Sequence, residues 1–177
     1  ERAAELFEAR TAEFTSLIAK EAGRTLNDGL DEVREAVDFC RYYAAQATSL
    51  MHSALELPGV TGETNRLFYA PRGPWLCISP WNFPLAIFTG QIVANLAVGN
   101  TVVAKPAEQT PLVARLACDV LNEAGVPEGV INLVNGDGPT LGGWLLPDER
   151  LAGVSFTGSH PSARVINRQL ALRDGPI

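Results

Sequence analysis

Residues Tyr69–Pro111 constrain this chain more than any other stretch. They read Y-A-P-R-G-P-W-L-C-I-S-P-W-N-F-P-L-A-I-F-T-G-Q-I-V-A-N-L-A-V-G-N-T-V-V-A-K-P-A-E-Q-T-P. Trp75–Ser79 is a short apolar run of the length that forms a buried strand. Pro80 and Pro84 each fix a φ angle and push the preceding residue toward extended geometry, so Trp81, Asn82 and Phe83 sit in a stiff turn. Pro84 suits the first helical position. The spacing predicts a helix over Leu85–Ala97, stopped by Gly99-Asn100, and then a strand over Thr101–Lys105. Pro106 and Pro111 bracket a second stiff turn that holds Glu108. Two successive strand ends therefore present polar groups on one edge, the edge at which open α/β sheets bind ligands.

The flanking sequence extends this pattern. Residues 1–22 have helical periodicity through Leu6, Phe7, Phe14, Leu17 and Ile18 and predict one amphipathic helix. A second helix, capped by Asn27 or Asp28, carries Leu30, Val33, Val37, Cys40, Ala44, Ala47 and Met51 as a seam whose small residues suit packing on a sheet. Residues 1–56 are thus N-terminal helices. Residues 57–74 read as a polar turn and hairpin, with Arg66–Ala70 and Trp75–Ser79 as its strands around Pro71-Arg72-Gly73-Pro74. Residues 75–177 read as strand–helix units: helix from Pro111 to about Glu123, strand Val130–Val134, helix Thr140–Leu146, strand Leu151–Phe156, helix from about Pro161 to Leu172. Asp174–Ile177 reads as a loop leading into a further strand. Alternating strands and helices predict an open, doubly wound, Rossmann-like parallel sheet.

Composition excludes several classes. The net charge is −6 and the isoelectric point is near 4.9, which argues against a nucleic-acid surface. No apolar stretch reaches the ~20 residues needed to span a bilayer. Cys40, Cys77 and Cys118 are odd in number and lack metal-ligand spacing, which suits free thiols in a reducing, cytoplasmic compartment. Cys77 lies in an apolar strand and Cys40 on the apolar seam of a helix, so both read as core, and Cys118 lies on a helix with still less to recommend it as a nucleophile. The chain lacks an initiator Met and begins inside a helical pattern, so it reads as a piece of a longer protein.

I-S-P-W-N-F-P, K-P-A-E-Q-T-P and F-T-G-S resemble, in order and spacing, the signature segments of the NAD-dependent aldehyde dehydrogenase superfamily. The resemblance covers nearly the whole chain. The wording of F-C-R-Y-Y-A, W-N-F-P-L-A-I-F-T-G-Q and I-N-R-Q-L-A is most similar to the L-glutamate-γ-semialdehyde dehydrogenase module of bacterial proline utilization A. The resemblance implies NAD as cofactor, an aldehyde as substrate, a homo-oligomer with residues 57–74 in the oligomerisation arm, and a proline dehydrogenase (FAD) domain in the same parent chain.

Within that frame single residues acquire roles. Asn82 either caps the next helix or forms an Asx turn, or it aims a rigid amide N–H at the oxyanion formed when a thiol adds to an aldehyde. The resemblance implies the second, worth about 3–4 kcal/mol in comparable oxyanion holes. Lys105 and Glu108 are either a surface ion pair or hydrogen-bond partners of a ribose. In the second case the Glu108 carboxylate repels a 2′-phosphate and favours NAD over NADP. Gly158 and Ser159 open a helix, where Ser159 either caps it or joins its free N–H groups in holding phosphate. His160, Pro161 and Ala163 depart from the commonest family wording there. Gly136-x-Gly138-x-x-x-Gly142 is one residue too long for a dinucleotide fingerprint and reads as a tight turn. The resemblance still places Gly138 near the adenine. Ile78, Ser79, Pro80 and Trp81 line the cleft, and Phe156 flanks the nicotinamide side; plain core packing is the alternative for each.

The family's nucleophilic Cys and its general-base Glu, in an E-x-G-G segment, have no match in these residues. No G-x-S-x-G, Walker A or H-E-x-x-H segment offers other chemistry. The expectation is the NAD-binding portion of an aldehyde dehydrogenase, inactive alone, with the catalytic domain absent. The alternatives are a non-catalytic NAD-binding or oligomerisation module, or a dehydrogenase for a different aldehyde.

Overall fold

The computed structural model describes residues 1–174, so the strand expected to begin near Gly175–Ile177 lies outside the described residues. Helices α1 (Arg2–Ala9), α2 (Thr11–Ala22) and α3 (Leu26–Met51) come first. A two-stranded hairpin follows, β1 (Leu55–Leu57) antiparallel to β2 (Asn65–Leu67). Then come β3 (Pro74–Ile78), α4 (Ala86–Ala97), β4 (Thr101–Lys105), α5 (Pro111–Glu123), β5 (Ile131–Leu133), α6 (Gly138–Leu145), β6 (Gly153–Phe156) and α7 (His160–Leu170).

Strands β3 to β6 form one parallel sheet in the order β5-β4-β3-β6. The chain winds outward from β3 to β5, then crosses back to place β6 on the other side of β3. This is the start of the doubly wound order, with its switch point between β3 and β6. Strand periodicity divides the core in two. Cys77, Val102 and Ala104 face one layer with Leu85, Phe88, Ile92, Val113 and Ala117 of the α4–α5 side. Leu76, Ile78, Val103 and Val154 face the other with Leu146, Ile166 and Leu170. Burying each large side chain contributes about 1.5–3 kcal/mol.

Several local expectations need correction. Residues 1–22 form two helices, because Arg10 leaves helical geometry (φ −103°, ψ 20°) and the Thr11 hydroxyl donates to the Glu8 carbonyl at 2.6 Å. The bend lets Phe7 and Phe14 meet with ring centroids 5.3 Å apart. Helix α3 is capped by Thr25, not by Asn27 or Asp28. The Thr25 Oγ1 accepts from Asp28 N at 3.1 Å and Asp28 Oδ2 accepts from Thr25 N at 3.3 Å, a reciprocal capping box. The long face of α3 packs chiefly on α4, α1 and α2 rather than on the sheet. Its buried stripe is Gly29, Glu32, Val33, Ala36, Val37 and Cys40, while Leu30 is exposed.

The hairpin also differs. Its strands are Leu55–Leu57 and Asn65–Leu67, with Glu56 opposite Arg66 and their charges joined at 2.6 Å. The Trp75 strand belongs to the parallel sheet instead, hydrogen-bonded on both sides by β4 and β6. An apolar strand gains more from two parallel neighbours inside the core than from one polar partner outside it. Helix α4 starts at Ala86, since Pro84 and Leu85 complete the turn. Among the described residues no helix is long and apolar enough to cross a membrane.

Candidate functional site

All eleven residues singled out above lie at the carboxyl edge of the parallel sheet, on the segments that leave β3, β4, β5 and β6. The β3 segment is held from three directions. Ser79 N donates to the Lys105 carbonyl at 3.2 Å, which prolongs the β3–β4 pairing by one residue. The Ile78 carbonyl accepts from Thr157 N at 3.0 Å and from Gln91 Nε2 at 3.1 Å. Gln91 Nε2 also reaches Thr157 Oγ1 at 3.2 Å, so one amide ties the ends of β3 and β6 together at the switch point. Ser79 is buried, and its hydroxyl has no partner among the described residues.

The turn Pro80–Leu85 is clamped from outside its own sequence. The Arg24 guanidinium donates to the Asn82 carbonyl and lies over the Phe83 ring at 4.7 Å. Glu32 Oε2, on the buried stripe of α3, accepts from Leu85 N at 3.0 Å and from Ala86 N at 3.3 Å. Burial pushes the Glu32 carboxyl up, while those two N–H groups and the nearby Arg24 charge pull it back. The backbone of Asn82 is thus pinned while its side chain is exposed and makes no hydrogen bond among the described residues. Trp81 is exposed beside it.

Lys105, Glu108 and Gly138 come together. Lys105 is 6% exposed, and its Nζ donates to the Pro106 carbonyl at 2.9 Å and lies 3.5 Å from Glu108 Oε1. The same Glu108 oxygen accepts from Gly138 N at 2.8 Å, linking the β4 segment to the start of α6. A side chain at Gly138 would begin 4.0 Å from that oxygen. At the β6 end, Phe156 lies against Gly158, where a Cβ would come within 2.7 Å of the ring. Ser159 Oγ accepts from Ser162 N at 3.3 Å and caps α7. His160 is exposed at the first turn of that helix.

None of the three cysteines can serve as a nucleophile in place. All are buried, and burial pushes the thiols up to about 11 for Cys40 and about 12 for Cys77 and Cys118.

A family model described as "Aldehyde dehydrogenase family" matches residues 1–175. This chain belongs to the aldehyde dehydrogenase family. The bifunctional protein PutA of Klebsiella aerogenes is 51% identical over 176 residues, covering 99% of this chain and 12% of PutA. A 1-pyrroline-5-carboxylate dehydrogenase of Geobacillus sp. (strain WCH70) is 43% identical over 177 residues, covering 99% of this chain and 34% of that enzyme. Among solved structures, a bifunctional proline utilization A superposes with a TM-score of 0.97 at 56% identity, over 100% of this chain and 18% of its own. A 1-pyrroline-5-carboxylate dehydrogenase from Thermus, with bound NAD, gives 0.91 at 40% identity, over 95% of this chain and 33% of its own. The chain therefore spans between 12% and 34% of the curated relatives it matches here.

The arrangement differs from the usual dinucleotide site of a doubly wound sheet. In a doubly wound sheet the first helix N-terminus normally takes the pyrophosphate. In this aldehyde dehydrogenase chain that N-terminus, on α4, is already filled by the Glu32 carboxylate. The accessible polar groups lie elsewhere: the half-exposed Glu108 carboxylate and the exposed start of α7, with the Ser79 hydroxyl buried and without a partner among the described residues. Arg24, Glu32, Gln91 and Thr157 were not singled out from the sequence. A signal existed for Glu32, a charge at helical spacing with Gly29, Val33 and Ala36. None existed for Arg24, which lies 58 residues from its partner.

Proposed function

We propose that this chain is the NAD-binding portion of an aldehyde dehydrogenase that oxidises L-glutamate-γ-semialdehyde to L-glutamate. The observation that carries the reading is the pairing, on one sheet edge, of a pinned turn offering the free Asn82 amide with the Lys105–Glu108–Gly138 cluster. The names of the relatives support the choice of substrate.

In this reading Glu108 accepts hydrogen bonds from the adenosine ribose, and Lys105 holds that carboxylate in place. Gly138 leaves room for the adenine, and Gly158 with Ser159 faces the pyrophosphate. Ile78, Ser79, Pro80 and Trp81 wall the cleft, with Phe156 flanking the nicotinamide side. NAD, when bound, accepts the hydride. Asn82 donates its side-chain N–H to the oxygen of the aldehyde as a thiolate adds to the carbon, in a turn whose backbone is held by two prolines, Arg24 and Glu32. The thiolate and the base that activates water for deacylation come from elsewhere in the full-length protein, since Cys40, Cys77 and Cys118 are buried and protonated. Exposed Leu55, Leu57, Val60, Leu67, Phe68 and Tyr69 support an oligomerisation role for the hairpin. The bifunctional relatives support a proline dehydrogenase (FAD) domain in the same protein.

The test is steady-state turnover of L-glutamate-γ-semialdehyde with NAD by the full-length protein. Asn82→Ala lowers kcat by about 10²- to 10³-fold with NAD binding retained. Absence of NAD-dependent turnover, or an unchanged kcat in the variant, refutes the reading.

A further inference from the structure

Helices α3, α6 and α7 cap themselves through Thr25, Asp137 and Ser159. Helices α4 and α5 do not. Their N-cap residues are Leu85 and Thr110, and neither side chain accepts a cap hydrogen bond. These are the two helices that follow the turns bearing Asn82 and Glu108. Their first N–H groups are satisfied from the N-terminal helices. Glu32 takes Leu85 N and Ala86 N, as described above. Glu21, at the end of α2, takes Leu112 N through Oε1 at 2.8 Å and Val113 N through Oε2 at 2.9 Å. Thr110 has a side chain suited to capping, yet its Oγ1 is buried with no partner among the described residues.

A carboxylate at a helix start both completes the orphan donors and opposes the positive end of the helix dipole. Here it has a third effect. Each borrowed cap fixes the point at which a turn ends and a helix begins, and so fixes the turn against a rigid outer layer. In the first turn Asn82 lies three residues before Leu85. In the second Glu108 lies three residues before Pro111. The α2–α3 layer therefore sets the positions of both ligand-facing groups without touching a ligand.

We propose that Glu32 and Glu21 are positioning residues, Glu32 for Asn82 and Glu21 for Glu108, a statement that rests on the roles given to Asn82 and Glu108 above. The two carboxylates act on different halves of the reaction. Glu32 governs the oxyanion donor and therefore kcat. Glu21 governs the ribose contact and therefore NAD affinity.

The experiment uses the full-length protein, with kcat and KM for the semialdehyde measured at saturating NAD and NAD dissociation measured by calorimetric titration. Glu32→Ala lowers kcat by about 10- to 100-fold, the loss expected when a reacting group moves by around 1 Å, with NAD affinity within about twofold of wild type. Glu32→Gln, which keeps an oxygen acceptor at the same place, recovers most of that loss and covers the case in which the alanine variant does not fold. Glu21→Ala weakens NAD by about fivefold, the equivalent of one lost helix cap, with kcat preserved. Adding Glu32→Ala to Asn82→Ala costs nothing further in kcat, because the group being positioned is already gone. Equal losses in kcat and NAD affinity for both alanine variants, or additive losses in the double variant, overturn the proposal. If Asn82→Ala runs at the wild-type rate, the reading of Asn82 itself falls. If it is slow while Glu32→Ala and Glu32→Gln run at the wild-type rate, only the positioning role falls.

Discussion

Gly90 and Gly143 offer the same substitution in two helices with opposite expected outcomes. A Cβ built on Gly90 of α4 lies 2.8 Å from Cδ2 and 3.0 Å from Cε2 of Phe39 in α3. That ring cannot easily withdraw. Tyr43 stacks on it at 6.0 Å, and Tyr42 meets Tyr43 edge-on at 5.1 Å. Gly→Ala in a helix normally stabilises by roughly 1 kcal/mol, but overpacking a closed interface costs about 1–3 kcal/mol. Because the ring is held in place, the cost falls in the upper part of that range, about 2–3 kcal/mol, and Gly90→Ala is expected to destabilise by a net of about 1–2 kcal/mol. A Cβ on Gly143 of α6 meets nothing within 4 Å, so Gly143→Ala is expected to stabilise by about 0.5–1 kcal/mol. Urea unfolding of the full-length protein and both variants, followed by tryptophan fluorescence, measures the difference. Adding Phe39→Leu to Gly90→Ala removes the blocking ring, so the double variant loses less than the sum of the single losses. A Gly90→Ala protein as stable as wild type, or a double variant with strictly additive losses, refutes the idea that α3 and α4 are locked by this contact. Activity is also informative, because Gly90 precedes Gln91, which joins the ends of β3 and β6.

Three further outcomes are expected. Glu108→Ala in the full-length protein weakens NAD by about tenfold and narrows its preference over NADP, read from the two dissociation constants; unchanged discrimination removes Glu108 from the ribose. The 177-residue polypeptide alone gives no dehydrogenase turnover, and its three thiols react with a disulfide reagent only after denaturation, because burial keeps them protonated. Acid stability has a defined sign. The Thr25 hydroxyl holds the Asp28 carboxyl low, Thr140 N does the same for Asp137, and Arg150 brings Asp148 down to about 2. Such groups stabilise the fold above their unfolded pKa, and the contribution drains away as pH falls from about 4 toward 2. Glu32, raised by burial, acts in the opposite sense, losing stability as pH rises above the usual carboxylate range. Melting temperatures between pH 7 and pH 2 should fall, and fall less steeply in Asp148→Asn; an identical slope contradicts the assignment.

Much of the site was legible because its parts are local. Proline at 80, 84, 106 and 111 marks two stiff turns, and the apolar runs on either side mark β3 and β4. Lys105 and Glu108 share one turn, so their proximity needs no knowledge of the rest of the chain. The contact of Glu108 with Gly138 was not legible, since it crosses 30 residues and depends on β5 lying beside β4. The pairing of the hairpin is hidden in the sequence for a related reason. Trp75–Ser79 is apolar enough to be a strand, but nothing within five residues says whether its neighbour is β2 or the later strands β4 and β6. Asn27 and Asp28 have side chains at least as suited to capping as Thr25, but the Thr-x-x-Asp spacing permits the reciprocal box that places the cap at Thr25. Leu30 keeps the three-four phase of Val33, Val37 and Cys40 and so reads as part of the buried seam, yet it lies at the exposed rim of that face. The true stripe includes Gly29 and Glu32, chosen for contact and charge rather than for greasiness.

The borrowed caps also bear on how the chain folds. Helices α4 and α5 complete their first turns only by closing loops of 53 and 91 residues back to Glu32 and Glu21. Closure over such separations is entropically opposed and slow beside local helix formation. On the ribosome both glutamates emerge before the helices that need them. The outer helices can therefore be assembled and waiting, and the strand–helix units click into register against them as they appear. Amide hydrogen exchange at Leu85, Ala86, Leu112 and Val113 should become protected only after α3 is protected, making the start of each helix a late reporter of docking rather than an early nucleus.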